Sequence, residues 1–294
     1  MTSTLPPTLA QTLSDLQAQG LDRLDAQLLL LHVLGQPSHQ RGWLLAHDTD
    51  PLAQEPAARL KVLALRRLAG EPLAYLTGHK AFFGLDLQVD ARVLDPRPDT
   101  ETLVDWALEL LTPATTAQAN RQTQASVLDL GTGSGAIALA LKASLPALQV
   151  HAIDLSADAL AVAQANAQRL RLEVTFGQGA WFQGLANTEC PFDCIVSNPP
   201  YIAALNPHLN ALTHEPLQAL ASGPDGLDDL RHIITHAPRF LKPGGHLLLE
   251  HGFDQAHAVH ELLTRAGFTQ VQSRRDLAGI ERCSGGQLTL KDAP

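Results

Sequence analysis

The residues with the clearest chemical potential form the segment Asn198-Pro199-Pro200-Tyr201, which follows an apolar run over residues 192–196. Proline fixes its own φ angle and restricts the residue before it, so Asn198 and Pro199 have few available conformations. The Asn198 amide oxygen and a backbone carbonyl, that of Pro199, can accept both N–H groups of a planar nitrogen conjugated to a carbonyl or an aromatic ring. Tyr201 can stack on such a group and exclude water. The chemistry indicated is in-line displacement of a sulfonium methyl by that nitrogen, with orientation and desolvation providing most of the catalysis.

A glycine-rich turn offers a site for the methyl donor. It follows the apolar strand predicted over Ser126–Leu130 and opens a helix. Its residues are Gly131, Thr132, Gly133, Ser134 and Gly135. Glycine permits positive φ angles and close approach of a ligand to the backbone. Asp154 ends the next predicted strand, where an acid can accept hydrogen bonds from both ribose hydroxyls.

Each feature also has a simpler interpretation. The glycine turn could be only a tight strand-to-helix connection, and its G-x-G-x-G spacing differs from the G-x-G-x-x-G of the dinucleotide fingerprint. Asp154 could help to begin the following helix, a task that Ser156 could share. Asn-Pro is common in ordinary turns. The occurrence of all three features at predicted strand ends favours a nucleoside site beside a reactive turn.

The elements before these motifs are mostly helical. Over residues 1–75, leucines at helical spacing and the punctuation by Gly35, Pro37 and Gly70 predict a small helical bundle, in which Asp22 or Asp25 begins the second helix. Over residues 76–111, two short β-like runs predict a hairpin, and a linker helix follows.

The remainder, residues 112–294, begins with a polar segment (112–125) and then alternates strands and helices. This pattern predicts an α/β fold with a doubly wound, mostly parallel, seven-stranded Rossmann-like sheet. The predicted elements include a helix over Leu227–Leu241, a strand over His246–Glu250 and a last antiparallel pair formed by Phe268–Ser273 and Gln287–Leu290.

Composition excludes several other classes of protein. Three cysteines build no disulfide framework, Cys194 fits a buried structural thiol, and no spacing of Cys or His suggests a metal site. No apolar run reaches the roughly 18 residues of a membrane span, and the first residues lack the features of a signal peptide. The net charge of −9 disfavours nucleic acid as a direct substrate. A cytoplasmic protein without metal is the expectation.

Several segments together resemble the class I S-adenosylmethionine-dependent methyltransferases, and within them the peptide chain release factor glutamine methyltransferases of the HemK or PrmC family. The resemblance runs nearly from end to end. The segments that carry it are Arg23-x-Asp25-Ala26, Gly70–Gly78, Pro96–Glu101, the glycine turn, Trp181-Phe182, Asn198–Tyr201 and Leu247–Gly252.

The resemblance implies transfer of a methyl group from S-adenosyl-L-methionine to N5 of the glutamine in the Gly-Gly-Gln motif of class 1 release factors, with S-adenosyl-L-homocysteine as product. It assigns the cofactor to Gly131–Gly135, Asp154, Trp181 and Asn198. It assigns the substrate glutamine to Asn198–Tyr201, with Asn198, Pro199 and Tyr201 catalytic. Arg97 and Glu101 are expected to line the same cleft, or else to form an ion pair between domains. The helical segment 1–75 is expected to help dock the release factor, and the enzyme is expected to be a monomer.

Two features depart from this pattern or complicate it. Where the family often has an acid that binds the adenine amino group, this chain has Ala180, and Gln178 could replace that acid. The segment 284–287 reads Ser-Gly-Gly-Gln, like the substrate motif, and we interpret it as a turn entering the last strand.

Two other substrates remain open. One is a glutamine of a ribosomal protein, with unchanged fold and chemistry. The other is adenine N6 of a nucleic acid, which similar Asn/Asp-Pro-Pro-Tyr turns methylate. The run 97–101 favours the release factor branch.

Overall fold

The computed structural model describes residues 6–112, 125–185 and 191–289. The polar segment predicted over 112–125 therefore lies almost entirely outside the described residues, as does Cys190. The chain divides into two compact units, residues 1–79 and residues 80–294.

The first unit is helical. Its helices are α1 (Leu9–Ala18), α2 (Arg23–Val33), α3 (Arg41–Ala46), α4 (Gln54–Leu68) and α5 (Leu73–Thr77). Asp22 is the residue that begins α2, because its side chain accepts a hydrogen bond from the backbone of Leu24 at 2.8 Å. Asp25 instead accepts from Arg67 Nε at 2.6 Å, which ties α2 to α4. Leu29, Leu30 and Leu31 of α2 are fully buried in the core of this unit.

A two-stranded hairpin follows, with β1 (His79–Phe82) and β2 (Leu85–Gln88). Its turn places Phe83 and Gly84 at φ angles of 48° and 75°. A short 3-10 helix (Pro98–Thr100) then leads directly into α6 (Glu101–Leu111). The predicted hairpin and linker helix are both present.

The second unit contains a seven-stranded sheet. Its strands are β3 (Ser126–Leu130), β4 (Gln149–Asp154), β5 (Thr175–Gln178), β6 (Phe192–Ser197), β7 (Leu241–Glu250), β8 (Phe268–Arg275) and β9 (Glu281–Leu288). They lie in the order β5-β4-β3-β6-β7-β9-β8. The first five are parallel, and β9 runs antiparallel to both of its neighbours. The remaining helices are α7 (Ala136–Ser144), α8 (Ala157–Leu170), α9 (Asp228–His236) and α10 (Ala256–Arg265).

This architecture confirms the predicted fold class. β3 is buried along its whole length, as expected for a central parallel strand covered on both faces. The strand order reverses at β3, since β4 and β5 lie on one side of it and β6 and β7 on the other. Such a switch point opens a crevice at the carboxyl ends of the strands, where ligands bind in open α/β sheets.

Three predicted elements had wrong bounds. Helix α9 ends at His236, and a 3-10 turn that contains Pro238 follows it, because proline cannot continue the hydrogen-bond ladder of a helix. Strand β7 begins at Leu241, five residues before the predicted start. Strand β9 begins at Glu281, so the Ser-Gly-Gly-Gln segment lies inside a strand and is not a turn. The Gln287 side-chain amide donates to the Gly244 carbonyl at 2.9 Å.

Candidate active site

Three of the predicted motifs meet at the carboxyl edge of the sheet. In the register of β3, Leu130 lies opposite Ser197 of β6 and Ile153 of β4. The next residues along these strands are Gly131, Asn198 and Asp154. The parallel sheet therefore brings the glycine turn, the acid and the reactive turn together although they are far apart in the chain.

The backbone of the glycine turn requires glycine. Gly131, Gly133 and Gly135 have φ angles of 73°, 55° and 84°, in the left-handed region that other residues rarely adopt. Buried Asp129 supports the turn from below by accepting a hydrogen bond from the Thr132 hydroxyl at 2.7 Å. Burial raises the pKa of Asp129 to about 7, against the lowering effect of that bond.

Asp154 joins the glycine turn to the end of β4. One carboxylate oxygen accepts from the backbone N–H of Gly133 at 2.8 Å, and the other accepts from Ser156 N–H at 2.9 Å. Burial raises the pKa of Asp154. The cap of α8 is Ser156 itself, whose hydroxyl accepts from Ala159 N–H at 3.1 Å. Asp154 therefore shapes the turn and also lines the cavity in front of it.

That first cavity has a volume of about 180 Å³. Trp181 forms one wall and lies over the glycine turn, since a Cβ placed on Gly131 would be 3.5 Å from the Trp181 ring. The adjacent Phe182 stacks on Phe240 at 4.4 Å between ring centroids, which anchors this wall in the core. Six of the predicted site residues line this cavity: Gly131, Gly133, Asp154, Trp181, Asn198 and Pro200. Thr132 and Ser134 are buried behind it, and Gly135 begins α7.

A second cavity, of about 860 Å³, lies on the other side of the reactive turn. It is lined by Tyr201, Arg97 and the loop that follows Tyr201. Asn198 lines both cavities, as do Leu94 and Ala219. A group in the first cavity and a group in the second therefore meet at Asn198.

Within the reactive turn, hydrogen bonds set the directions of the side chains. The Asn198 amide nitrogen donates to the Thr100 hydroxyl at 3.3 Å, and the Tyr201 hydroxyl donates to Glu250 at 3.3 Å. Pro199 is buried. Burial and the neighbouring Glu250 charge raise the pKa of Tyr201, which keeps the phenol protonated. The Asn198 amide oxygen lies on the side of its amide group away from Thr100.

The two charged residues expected in the cleft have different environments. Arg97 lines the second cavity and donates to buried Glu215 at 2.5 Å, with Asp95 at 3.5 Å. Glu101 lines neither cavity, and its carboxylate accepts the Phe83 backbone N–H at 2.8 Å. The structure therefore brings Arg97 to the cleft and places Glu101 under the hairpin turn.

The structure adds site residues that the sequence analysis did not single out. Leu94 and Ala219 line both cavities, and Asp229 lines the first. Three other residues bond to side chains that line the cavities: Thr100 to Asn198, Glu250 to Tyr201 and Glu215 to Arg97. The Gln178 amide donates to the Leu155 carbonyl at 3.4 Å, and this side chain does not line the first cavity, so the structure gives no support to Gln178 as a replacement for the missing acid.

Cys194 is buried with its thiol unreactive, as expected, because burial raises the pKa of that thiol. In the described parts of the chain, no three His, Cys, Asp or Glu side chains are grouped as a metal would require. No helix among the described residues has the length and apolar character needed to cross a membrane.

Comparison with known proteins agrees with this geometry. The chain matches a family model described as methyltransferase small domain over residues 100–272. A second model, the PrmC N-terminal domain, matches residues 8–78. Among solved structures, a methyltransferase from Pyrococcus furiosus is similar in fold, with a TM-score of 0.52, 20% identity, and coverage of 76% of this chain and 97% of that one. The fold and the site define a class I methyltransferase.

Closer relatives identify the family. A release factor glutamine methyltransferase of Bordetella pertussis is 50% identical over 279 residues, which cover 94% of this chain and 99% of the relative. One from Vibrio cholerae is 44% identical over 292 residues, which cover 98% of each chain. The chain belongs to the release factor glutamine methyltransferase family.

Proposed function

We propose that this enzyme transfers the methyl group of S-adenosyl-L-methionine to the side-chain amide nitrogen of the glutamine in the Gly-Gly-Gln motif of class 1 release factors. The observation that carries the proposal is the position of Asn198, which lines both cavities. The names of the relatives point to the same substrate. We assign the first cavity to the cofactor and the second to the glutamine and its flanking residues.

The residues of the first cavity fit the cofactor. The glycine turn leaves room for a nucleoside and its amino acid part, Asp154 is placed for the ribose hydroxyls, and the Trp181 ring offers an apolar wall. When bound, the cofactor supplies an electrophilic methyl group on a sulfonium.

The residues of the reactive turn prepare the nucleophile. The Asn198 amide oxygen and the Pro199 carbonyl accept the two N–H groups of the substrate amide, which raises electron density on its nitrogen. Tyr201 packs against the amide plane and excludes water. The cofactor would supply the methyl group and leave as S-adenosyl-L-homocysteine, and the proton lost from the methylated nitrogen would pass to solvent when the site opens. No strong base is required.

The second cavity disfavours a nucleic acid substrate. The two arginines that line it are already paired within the protein. Arg97 pairs with Glu215 at 2.5 Å. Arg282 pairs with Asp99 and with Asp276, each at 3.3 Å. Phosphates would have to compete with these carboxylates, in a chain of net charge −9. A protein glutamine carries no such charge.

We propose that the chain has three functional segments. Residues 1–75 dock the release factor, residues 76–111 form the hairpin and linker helix, and residues 112–294 carry out methyl transfer. Support for the first comes from apolar side chains on the surface of α4, where Val62 and Leu65 are each 57% exposed.

The function is tested with labelled S-adenosyl-L-methionine and three substrates offered in parallel: a class 1 release factor, ribosomal protein and nucleic acid. We expect label on the release factor, and we expect it to vanish when the motif glutamine is replaced by alanine. Label confined to ribosomal protein or to nucleic acid would contradict the proposal.

Asp229 is expected to compensate for the missing acid at Ala180. Of the described residues that line the first cavity, Asp154 and Asp229 carry carboxylates, and Asp154 is assigned to the ribose hydroxyls. We predict that Asp229→Asn raises the dissociation constant of S-adenosyl-L-methionine about tenfold, because a hydrogen bond to a charged acceptor is lost. Isothermal titration calorimetry measures this constant.

The matched control is Asp228→Asn, since Asp228 is exposed and pairs with Arg231 at 3.0 Å. It should bind as the parent does. Adding Ala180→Asp to the Asp229→Asn variant should restore affinity if the adenine amino group is the donor. Equal affinities of the Asp228 and Asp229 variants would remove Asp229 from cofactor binding.

A further inference from the structure

A buried carboxyl group lies directly behind the reactive turn. Glu250 is the last residue of β7, where Leu249 lies opposite Ser197 of β6. The register therefore places Glu250 beside Asn198, across the strand pair. Glu250 is only 1% exposed and lines neither cavity, so it has no direct contact with either ligand space.

Glu250 reaches the turn through two hydroxyl groups. Tyr201 donates to Glu250 Oε1 at 3.3 Å. The Thr100 hydroxyl also lies within reach of the carboxyl group. Because an ionised carboxylate can only accept hydrogen bonds, the threonine hydroxyl is the donor in this contact. Thr100 in turn accepts from the Asn198 amide nitrogen at 3.3 Å. A chain of hydrogen bonds thus runs from Asn198 through Thr100 to Glu250.

The donor-to-acceptor direction of these hydrogen bonds depends on the charge of Glu250. An ionised carboxylate only accepts hydrogen bonds. It therefore fixes the Thr100 hydroxyl as donor towards Glu250, which leaves the Thr100 oxygen to accept from the nitrogen of Asn198. The Asn198 amide oxygen must then face away from Thr100. A protonated Glu250 can donate to Thr100 instead, and the hydroxyl can then turn to bond the amide oxygen of Asn198.

We propose that Glu250, acting through Thr100, is a positioning residue that aims the amide oxygen of Asn198 at the substrate nitrogen and orients the Tyr201 ring beside it. The inference rests on the proposed function, because it assigns a role to the same reactive turn. It adds two residues that touch neither cofactor nor substrate.

The surroundings of Glu250 make its charge sensitive to pH. Burial raises its pKa to about 7, while the bonds from Thr100 and Tyr201 and the positive charge of Arg282 on β9 lower the pKa. Asp99, in the 3-10 helix before α6, raises it. The ionised form of Glu250 sets the hydrogen-bond direction that orients the Asn198 amide. Turnover should therefore fall as the pH drops through neutrality and Glu250 becomes protonated.

The test compares Glu250→Gln, Thr100→Val and Thr100→Ser with the parent enzyme on a release factor substrate. We expect kcat to fall about tenfold in the first two, with KM for the release factor and the dissociation constant of S-adenosyl-L-methionine unchanged within about twofold. The conservative Thr100→Ser keeps the hydroxyl and should restore most of kcat. Because glutamine mimics the protonated acid, Glu250→Gln should also lose the acid limb of the pH profile that the parent shows near neutrality.

Thr264→Val is the matched control, because it removes a threonine hydroxyl of α10 that donates to the His260 carbonyl and lines neither cavity. It should leave kcat unchanged. Parent-like kcat in both Thr100→Val and Glu250→Gln would overturn the proposal, as would a lowered kcat in Glu250→Gln with an unchanged acid limb. If Glu250→Gln fails to fold, the kcat values of Thr100→Val and Thr100→Ser decide whether the proposal holds. A parent enzyme that does not label release factors would instead reject the proposed function.

Discussion

Replacement of Asn198 by alanine is expected to lower kcat by about 100- to 1,000-fold, the range found when one pre-organised hydrogen-bonding group is removed from an active site. The amide oxygen of Asn198 is the side-chain acceptor at the junction of the two cavities. Without it, one N–H of the substrate amide has no partner and its nitrogen is free to rotate away from the methyl group. Cofactor affinity should fall less, since the glycine turn, Asp154 and Trp181 remain.

The measurement combines single-turnover methyl transfer with calorimetric titration of S-adenosyl-L-methionine. Asn210→Ala is the matched control, because Asn210 is exposed and lines neither cavity. Its kcat should equal that of the parent. Parent-like kcat in Asn198→Ala would remove Asn198 from the mechanism, and a complete loss of cofactor binding would make it primarily a cofactor residue.

Most of the fold could be predicted because its central elements carry strong patterns. The strand Ser126–Leu130 is apolar and leads into a glycine turn, and α8 has regular helical spacing. Strand β5 (Thr175–Gln178) has no such pattern, since Phe176 is its one large apolar side chain and it lies at the edge of the sheet. The sequence analysis therefore did not assign it, although the predicted strand number was correct.

The site was predictable where its residues are contiguous. Asn198–Tyr201 and the glycine turn are motifs of consecutive residues, so their chemistry can be inferred from the sequence alone. Thr100 and Glu250 come from segments about 150 residues apart. The register of β6 and β7 places Glu250 beside Asn198, and Thr100 reaches Asn198 from the 3-10 helix before α6. Glu101 shows the opposite case: it belongs to a motif, yet its carboxylate binds the Phe83 backbone instead of lining a cavity.

The Ser-Gly-Gly-Gln segment shows how a motif can be structural. Gly285 lies in the middle of β9, opposite Leu248 of β7. A Cβ at this position would be 2.5 Å from the Leu247 carbonyl oxygen and 3.0 Å from the Trp106 ring. The first of these atoms belongs to the backbone of a central strand and cannot move alone. Glycine is therefore required for the close approach of β9 to β7, and resemblance to the substrate motif is a by-product of packing.

Gly285→Ala is accordingly expected to destabilise the second unit by about 1–3 kcal/mol, the usual cost of overpacking. Urea unfolding followed by far-UV circular dichroism measures the change, because this signal reports on the helices and strands of both units. Gly42→Ala is the control: Gly42 lies in α3, and no atom would lie within 4 Å of an added Cβ. Because alanine favours a helix over glycine by roughly 0.5–1 kcal/mol, that variant should be as stable as the parent or more so.

The two interpretations of Gly285 differ in what they expect of this variant. If β9 is held only by packing, Gly285→Ala lowers stability, and label from S-adenosyl-L-methionine never appears on the enzyme itself, because the Gln287 amide already donates to Gly244 within the sheet. If the segment served as a mimic of the substrate, the parent would carry label on Gln287, or Gly285→Ala would raise kcat by relieving inhibition. Unchanged stability would show that β9 can shift away from β7, and the packing argument would then be wrong.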